Sequence, residues 1–591
     1  MPKKRRKLRS EAWFNDKKNP VSTAIHLERY MNSGMSIAEL RSGRPIIGIA
    51  QSGSDLTPCN RHHVDLAKRT KEGIRDAGGI PIEFPIHPIH ESGRRPTAAL
   101  DRNLAFIALI EILHGYPLDG VILNTGCDKT TPAMLMAAIA LDMPSIVLSG
   151  GPMLNGYVNG ERKGAGTTIW SGRNRLNSDE ISFNDFLEEV ISSAPSPGHC
   201  NTMGTALTMN AIAEALGMSL PGCAAIPAPH RERGEVAFLT GKRAVDLVHE
   251  DLRPSKILSD ASFRNAIRVC LAIGGSTNAV VHLSAIAEIA EKKCTLETWD
   301  EIGKKAKLLT NCQPAGEYLG EDFFRAGGVP AVIAELIKDQ NFDGHAKTVN
   351  GQTMSEMHSN GGTKENNVIR AASNAPEIDA QFIVMSGNFF TSAIFKASVV
   401  DDFFKEKYLQ KPGSPNRFTA RAIVFDGPED YHHRINLPDL DIDENCILVM
   451  RGCGPVGYPG SAEVVNMPPP DRLIQKGINV LPCLGDGRQS GTSASPSILH
   501  VSPEAAVGGD ILLLKTNDTI EVDFGNKTVN VLISDDEFEK RRNAIEIPQT
   551  KNQTPWQEIY RKTVTQLEDG AGLNLKYNKI LTKSSIPRHS H

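Results

Sequence analysis

The sequence contains no apolar run approaching the ~18 residues a bilayer-spanning helix needs, so no membrane span is expected. Its amino end lacks the apolar centre of a secretory leader, which points to the cytoplasm. A strong charge of either sign is also missing. The net charge of -4 gives no bulk attraction to nucleic acid or to an anionic membrane. Cysteine is sparse, with 10 among 591 residues and no C-x-x-C pair. A disulfide scaffold is thereby excluded, and a reducing compartment is the simplest home. One basic run exists, Pro2-Lys-Lys-Arg-Arg-Lys-Leu-Arg9. By composition it suits a nuclear address or a nucleic-acid patch. No aromatics interleave with it as a nucleic-acid surface requires, so it reads as a solvated arm and no nucleic-acid partner is expected. No G-x-S-x-G surrounds Ser490, which argues against a hydrolase elbow there.

What is present is an ordinary globular composition, 40% apolar and 23% charged, on a chain too long for one core. Residues 1–40 read as an arm with one short helix. From 41 to 375 strand, loop and helix alternate. Strands are predicted at 45–50, 80–84, 118–123 and 144–149, with helices at 63–76, 97–114 and 133–140 between them. This is the pattern of a parallel sheet with helical cover. Residues 200–340 are mainly helical, with a turn at Gly274-Gly-Ser-Thr277 dividing 261–289. From 376 to 591 short β candidates dominate: 383–385, 422–425, 446–450, 511–514, 519–523 and 529–533. The expected fold class is α/β, an amino-terminal three-layer domain with a parallel sheet followed by a β-barrel-like domain.

Polar loops interrupt the apolar elements, and their residue types carry chemistry. Gly126-Cys-Asp-Lys129 puts a thiol, a carboxylate and an amine beyond the strand predicted at 118–123, where open α/β sheets place ligands. Thr57-Pro-Cys-Asn60, Glu91-Ser-Gly-Arg-Arg-Pro96 and Pro197-Gly-His-Cys-Asn-Thr-Met203 are of the same kind. Spacing alone favours separate buried thiols, with a shared metal cluster as the alternative. In the second half, Arg451-Gly-Cys-Gly-Pro-Val-Gly-Tyr-Pro-Gly-Ser-Ala-Glu463 and Gly485-Asp-Gly-Arg-Gln-Ser-Gly491 are glycine-dense. Such turns admit close backbone approach to a ligand, or merely close two hairpins.

Taken together, Thr57-Pro-Cys-Asn60, Gly126-Cys-Asp-Lys-Thr-Thr-Pro132, His199-Cys-Asn-Thr-Met-Gly204, Pro459-Gly-Ser-Ala-Glu463 and Gly485-Asp-Gly-Arg-Gln-Ser-Gly491 resemble the dihydroxy-acid and sugar-acid dehydratase family. The resemblance runs from about residue 40 to the end and is to the sugar-acid branch. It implies that Cys59, Cys127 and Cys200 hold a 2Fe-2S cluster. It implies that Glu91, Asp128 and Glu463 bind Mg2+, joined by Lys129 as a carbamate, and that Ser490 is the base. The implied reaction removes water from an aldonate such as D-xylonate or L-arabinonate to give a 2-keto-3-deoxy acid. Dehydration of branched dihydroxy acids is the alternative. A homo-oligomer, dimer or tetramer, acting on a small sugar acid is the implied assembly.

Overall fold

The computed structural model describes residues 7–359, 361–376, 382–410, 413–575 and 586–589. Four strands of the first half, β1 (Ile46–Gln51), β2 (Ile80–Pro85), β3 (Gly120–Thr125) and β4 (Ser145–Ser149), pair in parallel in the order β2-β1-β3-β4. β1, β3 and β4 are buried at every position, which is why they are continuous apolar runs without alternation. Helix His63–Asp76 leads outward from β1 to the edge strand β2. Helices Ala98–Gly115 and Thr130–Ala140 then return across the sheet. Because parallel crossovers are right-handed, this reversal puts the first helix on one face and the other two on the opposite face. The packing agrees: Ala98–Gly115 lies against Thr130–Ala140, and His63–Asp76 against Arg231–Glu250. The sheet is thus sandwiched between helix layers, as expected. The same reversal opens a crevice beyond the carboxyl ends of β1 and β3.

A short hairpin, β5 (Gly156–Val158) with β6 (Glu161–Lys163), follows, and then the helices of the first half. In the second half β7 (Phe382–Gly387), β8 (Phe390–Lys396), β9 (Arg417–Asp426), β10 (Cys446–Arg451), β11 (Cys483–Gly485), β12 (Ser497–Ser502), β13 (Thr519–Asp523) and β14 (Thr528–Val531) close into a barrel. Its order is β10-β11-β12-β8-β7-β14-β13-β9. Phe395, Phe418, Val449, Leu484 and Val522 are among the side chains filling it. β9 to β12 run parallel, so the loops after β10 and β11 leave from the same end.

Three expectations are corrected. Of residues 511–514, read as a strand, the first three belong to a 3-10 turn, Asp510–Leu513, that follows Gly508 at φ +88°. Ile511 and Leu514 still enter the barrel core, because four consecutive apolar residues specify burial but no period. The amino-terminal segment carries three helices, Glu11–Phe14, Pro20–Met31 and Ile37–Leu40, where one was expected. Residues 1–6 of the basic run lie outside the described residues, but its last residues are not a solvated arm. Leu8 is buried, and the Arg9 guanidinium donates to Leu113 O (3.1 Å) and Tyr116 O (2.8 Å) at the end of helix Ala98–Gly115. A cation there meets the unsatisfied carbonyls of a helix terminus. Among the described residues no helix is long and apolar enough to cross a membrane.

Candidate active site

The crevice gathers the polar loops. Cys59 sits on the single-turn helix Pro58–Asn60 after β1, Glu91 follows β2, and Cys127, Asp128 and Lys129 follow β3. Cys200 precedes helix Thr205–Ala215. Adjacent strands explain why loops distant in sequence meet. Asn60 fastens two of them, its Oδ1 accepting the Cys127 N–H at 3.0 Å. The Cys59 and Cys127 thiols are hydrogen-bonded to each other, and Cys200 lies within electrostatic reach of Cys59, Asp128 and Glu91. The bond from Cys127, against the opposing effect of burial and with help from His90, brings the Cys59 thiol down to about 5. Cys127 is pushed up by the same bond and by burial, and Cys200 by burial and then by Cys59. Once deprotonated, three cysteine sulfurs on these loops are donors of the kind soft metal centres use.

Beside them, oxygens of Glu91, Asp128 and Glu463 all lie within 4.8 Å of one another. Lys129 is fully buried at their centre. Its Nζ is 2.8 Å from Glu91 Oε2, 3.5 Å from Glu463 Oε1 and 3.6 Å from Asp128 Oδ2. Burial pushes the Asp128 and Glu463 carboxyls upward, and their carboxylate neighbours add to it. Burial would lower Lys129, but Glu91, Glu463 and Asp128 outweigh it, and the net shift is upward. The surrounding carboxylates thus favour the charged form of Lys129, an effect that a cation held among them would oppose. Hard oxygen donors of like charge fit a divalent cation such as Mg2+, which would relieve the repulsion among them.

The barrel supplies the other wall. Glu463 lies in the loop after β10 and Ser490 in the loop after β11. Buried Arg488 grips Glu463 Oε1 at 2.8 Å through Nη1 and holds Ser461 O at 2.9 Å through Nε. Ser461 has φ +63°, a left-handed backbone that this bond helps to hold. Asn278, at the start of helix Asn278–Ile289, donates to the same Glu463 oxygen at 2.7 Å and to Gln489 O at 3.2 Å. Its own Oδ1 accepts from Arg488 at 3.0 Å. Ser490 Oγ is 2.9 Å from Thr492 Oγ1. Gly460, at φ +93°, passes so close to helix Ala98–Gly115 that a Cβ would meet Thr97 Oγ1 and Leu100 N at 2.1 and 2.3 Å.

All eight residues named from the sequence lie in these loops. The structure gathers the three carboxylates around Lys129 and sets the three cysteines on loops beside that cage. Several residues outside that set are drawn in as well. Arg488 lies in the glycine-dense motif 485–491, and Asn278 directly follows the turn at 274–277. His90, one residue before Glu91, gave no signal, because its partner Cys59 is distant in sequence. Others are engaged elsewhere: Arg94 pairs with Asp101 at 2.6 Å, and His62 Nε2 bonds Gly150 O at 2.9 Å. His199 donates from Nδ1 to Cys200 O at 3.0 Å, and burial lowers it to about 3, so it is neutral and orients the loop.

Residues 44–357 match the family described as dihydroxy-acid/6-phosphogluconate dehydratase, N-terminal, and residues 367–571 match its C-terminal counterpart. A D-xylonate dehydratase of Caulobacter vibrioides is 53% identical over 590 residues, covering 99% of this chain and 98% of the relative. An L-arabinonate dehydratase of Rhizobium leguminosarum is 44% identical, covering 91% and 90%. A dihydroxy-acid dehydratase of Thermodesulfovibrio yellowstonii is 35% identical, covering 90% and 95%.

Proposed function

The chain belongs to the dihydroxy-acid/6-phosphogluconate dehydratase family and is a hydro-lyase acting on a sugar acid, and from that premise we propose D-xylonate as its substrate and 2-keto-3-deoxy-xylonate as its product. The observation that carries the choice is the 53% identity over 590 residues with a D-xylonate dehydratase. Glu463 lines a small cavity with Trp170, Arg173, His432 and Asn466. Trp170, Arg173 and Asn466 also line a cleft of about 460 Å³ whose walls include Thr167, Asn174, Asn479 and Ser495. Val399, Met467, Pro468 and Val480 line the cleft as well, so it offers hydroxyl and amide partners to a polyol tail on partly apolar walls.

Glu91, Asp128 and Glu463 hold Mg2+ in this reading, with Lys129 as a fourth oxygen donor once carbamylated, and Cys59, Cys127 and Cys200 hold the 2Fe-2S cluster. When bound, the two centres supply Lewis acidity toward the substrate carboxylate and the departing C3 hydroxyl. The protein's own groups do the rest. Ser490 takes the proton from C2, and the electron pair left behind forms the C2–C3 double bond as the C3 hydroxyl leaves. The proton and the hydroxide together make the water lost, and the enol tautomerises to the 2-keto acid. Arg488 and Asn278 keep Glu463 oriented during this. Lys129 and Arg488, both fully buried, back the cage with low-dielectric surroundings that strengthen these electrostatic contacts.

D-xylonate and L-arabinonate share their configuration at C2 and C3 and differ at C4. The reacting atoms therefore cannot tell them apart, and the cleft must. The test is turnover by anaerobically prepared, iron- and Mg2+-loaded enzyme on D-xylonate, L-arabinonate, D-gluconate and a branched dihydroxy acid. The expected result is the highest kcat/KM on D-xylonate. Preference for the branched acid, or no 2-keto-3-deoxy product from any aldonate, would overturn the assignment.

A further inference from the structure

Helix Thr167–Asn177 reaches across to the serine loop. Trp170 Nε1–H donates to Thr492 Oγ1 at 3.0 Å, and Thr492 Oγ1 lies 2.9 Å from Ser490 Oγ. The Thr492 backbone N–H also points at Ser490 Oγ, at 3.3 Å. The indole N–H is a donor only. It occupies a lone pair of the threonine hydroxyl and leaves that hydroxyl's own proton free to be given away. When Ser490 is deprotonated, the only group in this chain of contacts that needs a proton is its oxygen. Two donors from one residue then converge on it, the threonine hydroxyl and the threonine amide. The indole polarises the first of them, as linked hydrogen bonds do.

The surroundings hold Thr492 in this role. A Cβ at Gly166 would lie 2.5 Å from Thr492 Oγ1 and 2.6 Å from its methyl carbon, so the helix start presses directly on that side chain. On the other side a Cβ at Gly491 would meet Thr205 N and Thr205 Oγ1, both at 2.6 Å. The loop is wedged between two helix starts, with little room for the threonine to rotate its hydroxyl away.

We infer that Thr492 and Trp170 are positioning residues for the reaction: the Trp170–Thr492 pair forms a donor relay that stabilises the Ser490 oxyanion and aims it at the C2 hydrogen. This rests on Ser490 being the base. No atoms move along the relay. Ser490 Oγ gains the C2 proton, and the three hydrogen bonds of the relay only change in strength.

The test compares Thr492→Val, Thr492→Ser, Trp170→Phe and Ser490→Ala in the loaded enzyme. The readouts are kcat, KM, cluster absorbance, the pH profile of kcat and exchange of the substrate C2 hydrogen with solvent deuterium. Loss of one oxyanion donor lowers kcat by about 100-fold or more. Thr492→Val is expected to show that loss with an equal slowing of exchange, unchanged absorbance, KM within about threefold and the rising limb of the pH profile moved to higher pH. Thr492→Ser, which keeps the hydroxyl, is expected to recover most of the rate. Trp170→Phe, which keeps a ring but no N–H, is expected to fall between them with the same displaced limb, and it serves as the test should Thr492→Val not fold. If Thr492→Val or Trp170→Phe exchanges C2 hydrogen at the wild-type rate while Ser490→Ala does not, the relay is overturned and the base stands. If Thr492→Ser is as impaired as Thr492→Val, the hydroxyl is not the operative group and the relay is likewise overturned. Exchange persisting in Ser490→Ala would remove both the base and the relay that serves it.

Discussion

Asn278 shows how much of the site lies outside the obvious ligands. One amide touches Glu463, Gln489 and Arg488 and so ties a helix of the first half to both barrel loops. Removing such a ligand-orienting partner typically weakens metal binding by about 10- to 100-fold. Asn278→Ala is therefore expected to lower divalent-cation affinity by that factor in calorimetric titration, with the fold intact by circular dichroism. Cys59 stands at the other group of donors. Cys59→Ser is expected to lose iron absorbance and activity together, and full absorbance in that variant would remove Cys59 from the thiol set. At this scale the sequence was legible where a motif carries the residue. The thiols, the carboxylates, Lys129 and Ser490 all lie in quoted loops. Arg488, Asn278, His90 and Trp170 were not assigned, because their roles exist only through contacts with residues far along the chain.

Among the elements, the glycine-dense loop after β10 is the most constrained. Gly460 combines a left-handed backbone with contact against helix Ala98–Gly115. The backbone alone makes Gly460→Ala unfavourable by roughly 1–2 kcal/mol, and the collision adds to that. The expected outcome is a lower Tm together with weaker cation binding, since the loop carries Glu463. The same loop hangs on buried Glu504, whose carboxylate accepts from Val456 N, at 2.9 and 3.1 Å to its two oxygens, from Gly457 N at 2.8 Å and from Gln566 Nε2 at 3.0 Å. Burial, then Asp486, raises it from 4.5 to about 7. A carboxyl with a raised folded pKa contributes stability that is complete below its unfolded value and is lost as pH climbs through the folded one. Its contribution therefore fades between about pH 4.5 and 7, by an amount on the order of 3 kcal/mol. Glu504→Gln is expected to flatten that part of the stability profile in urea titrations at pH 5 and 8. An unchanged difference would place the effect elsewhere. Strands such as β1 and β3 were readable because both faces are buried and their apolar runs are continuous. The 3-10 turn at Asp510–Leu513 was not, because its short apolar run fits either conformation. The short strand β11 was missed for a related reason: Cys483–Gly485 is too brief to show a period.

At the scale of the whole molecule, the two halves share an apolar seam, with Trp299 stacked on Phe382, and polar contacts that gather about the site. Lys129 and Asn278 reach Glu463, Trp170 reaches Thr492, Thr97 Oγ1 donates to Pro459 O at 2.7 Å, and buried Lys396 donates to Gly274 O at 2.8 Å. The α/β architecture and the barrel could be anticipated from element order, but the mating of their surfaces could not, since no local pattern encodes it. That mating has an asymmetry. Cys59, Cys127 and Cys200 all come from the α/β half, whereas the carboxylate cage borrows Glu463 from the barrel. A small tilt of one half against the other would pull the cage apart and leave the sulfurs where they are. With the proposed cluster loaded, then, iron absorbance should outlive catalysis in graded denaturant, and a sample losing both at the same midpoint would show that the two bodies come undone as one.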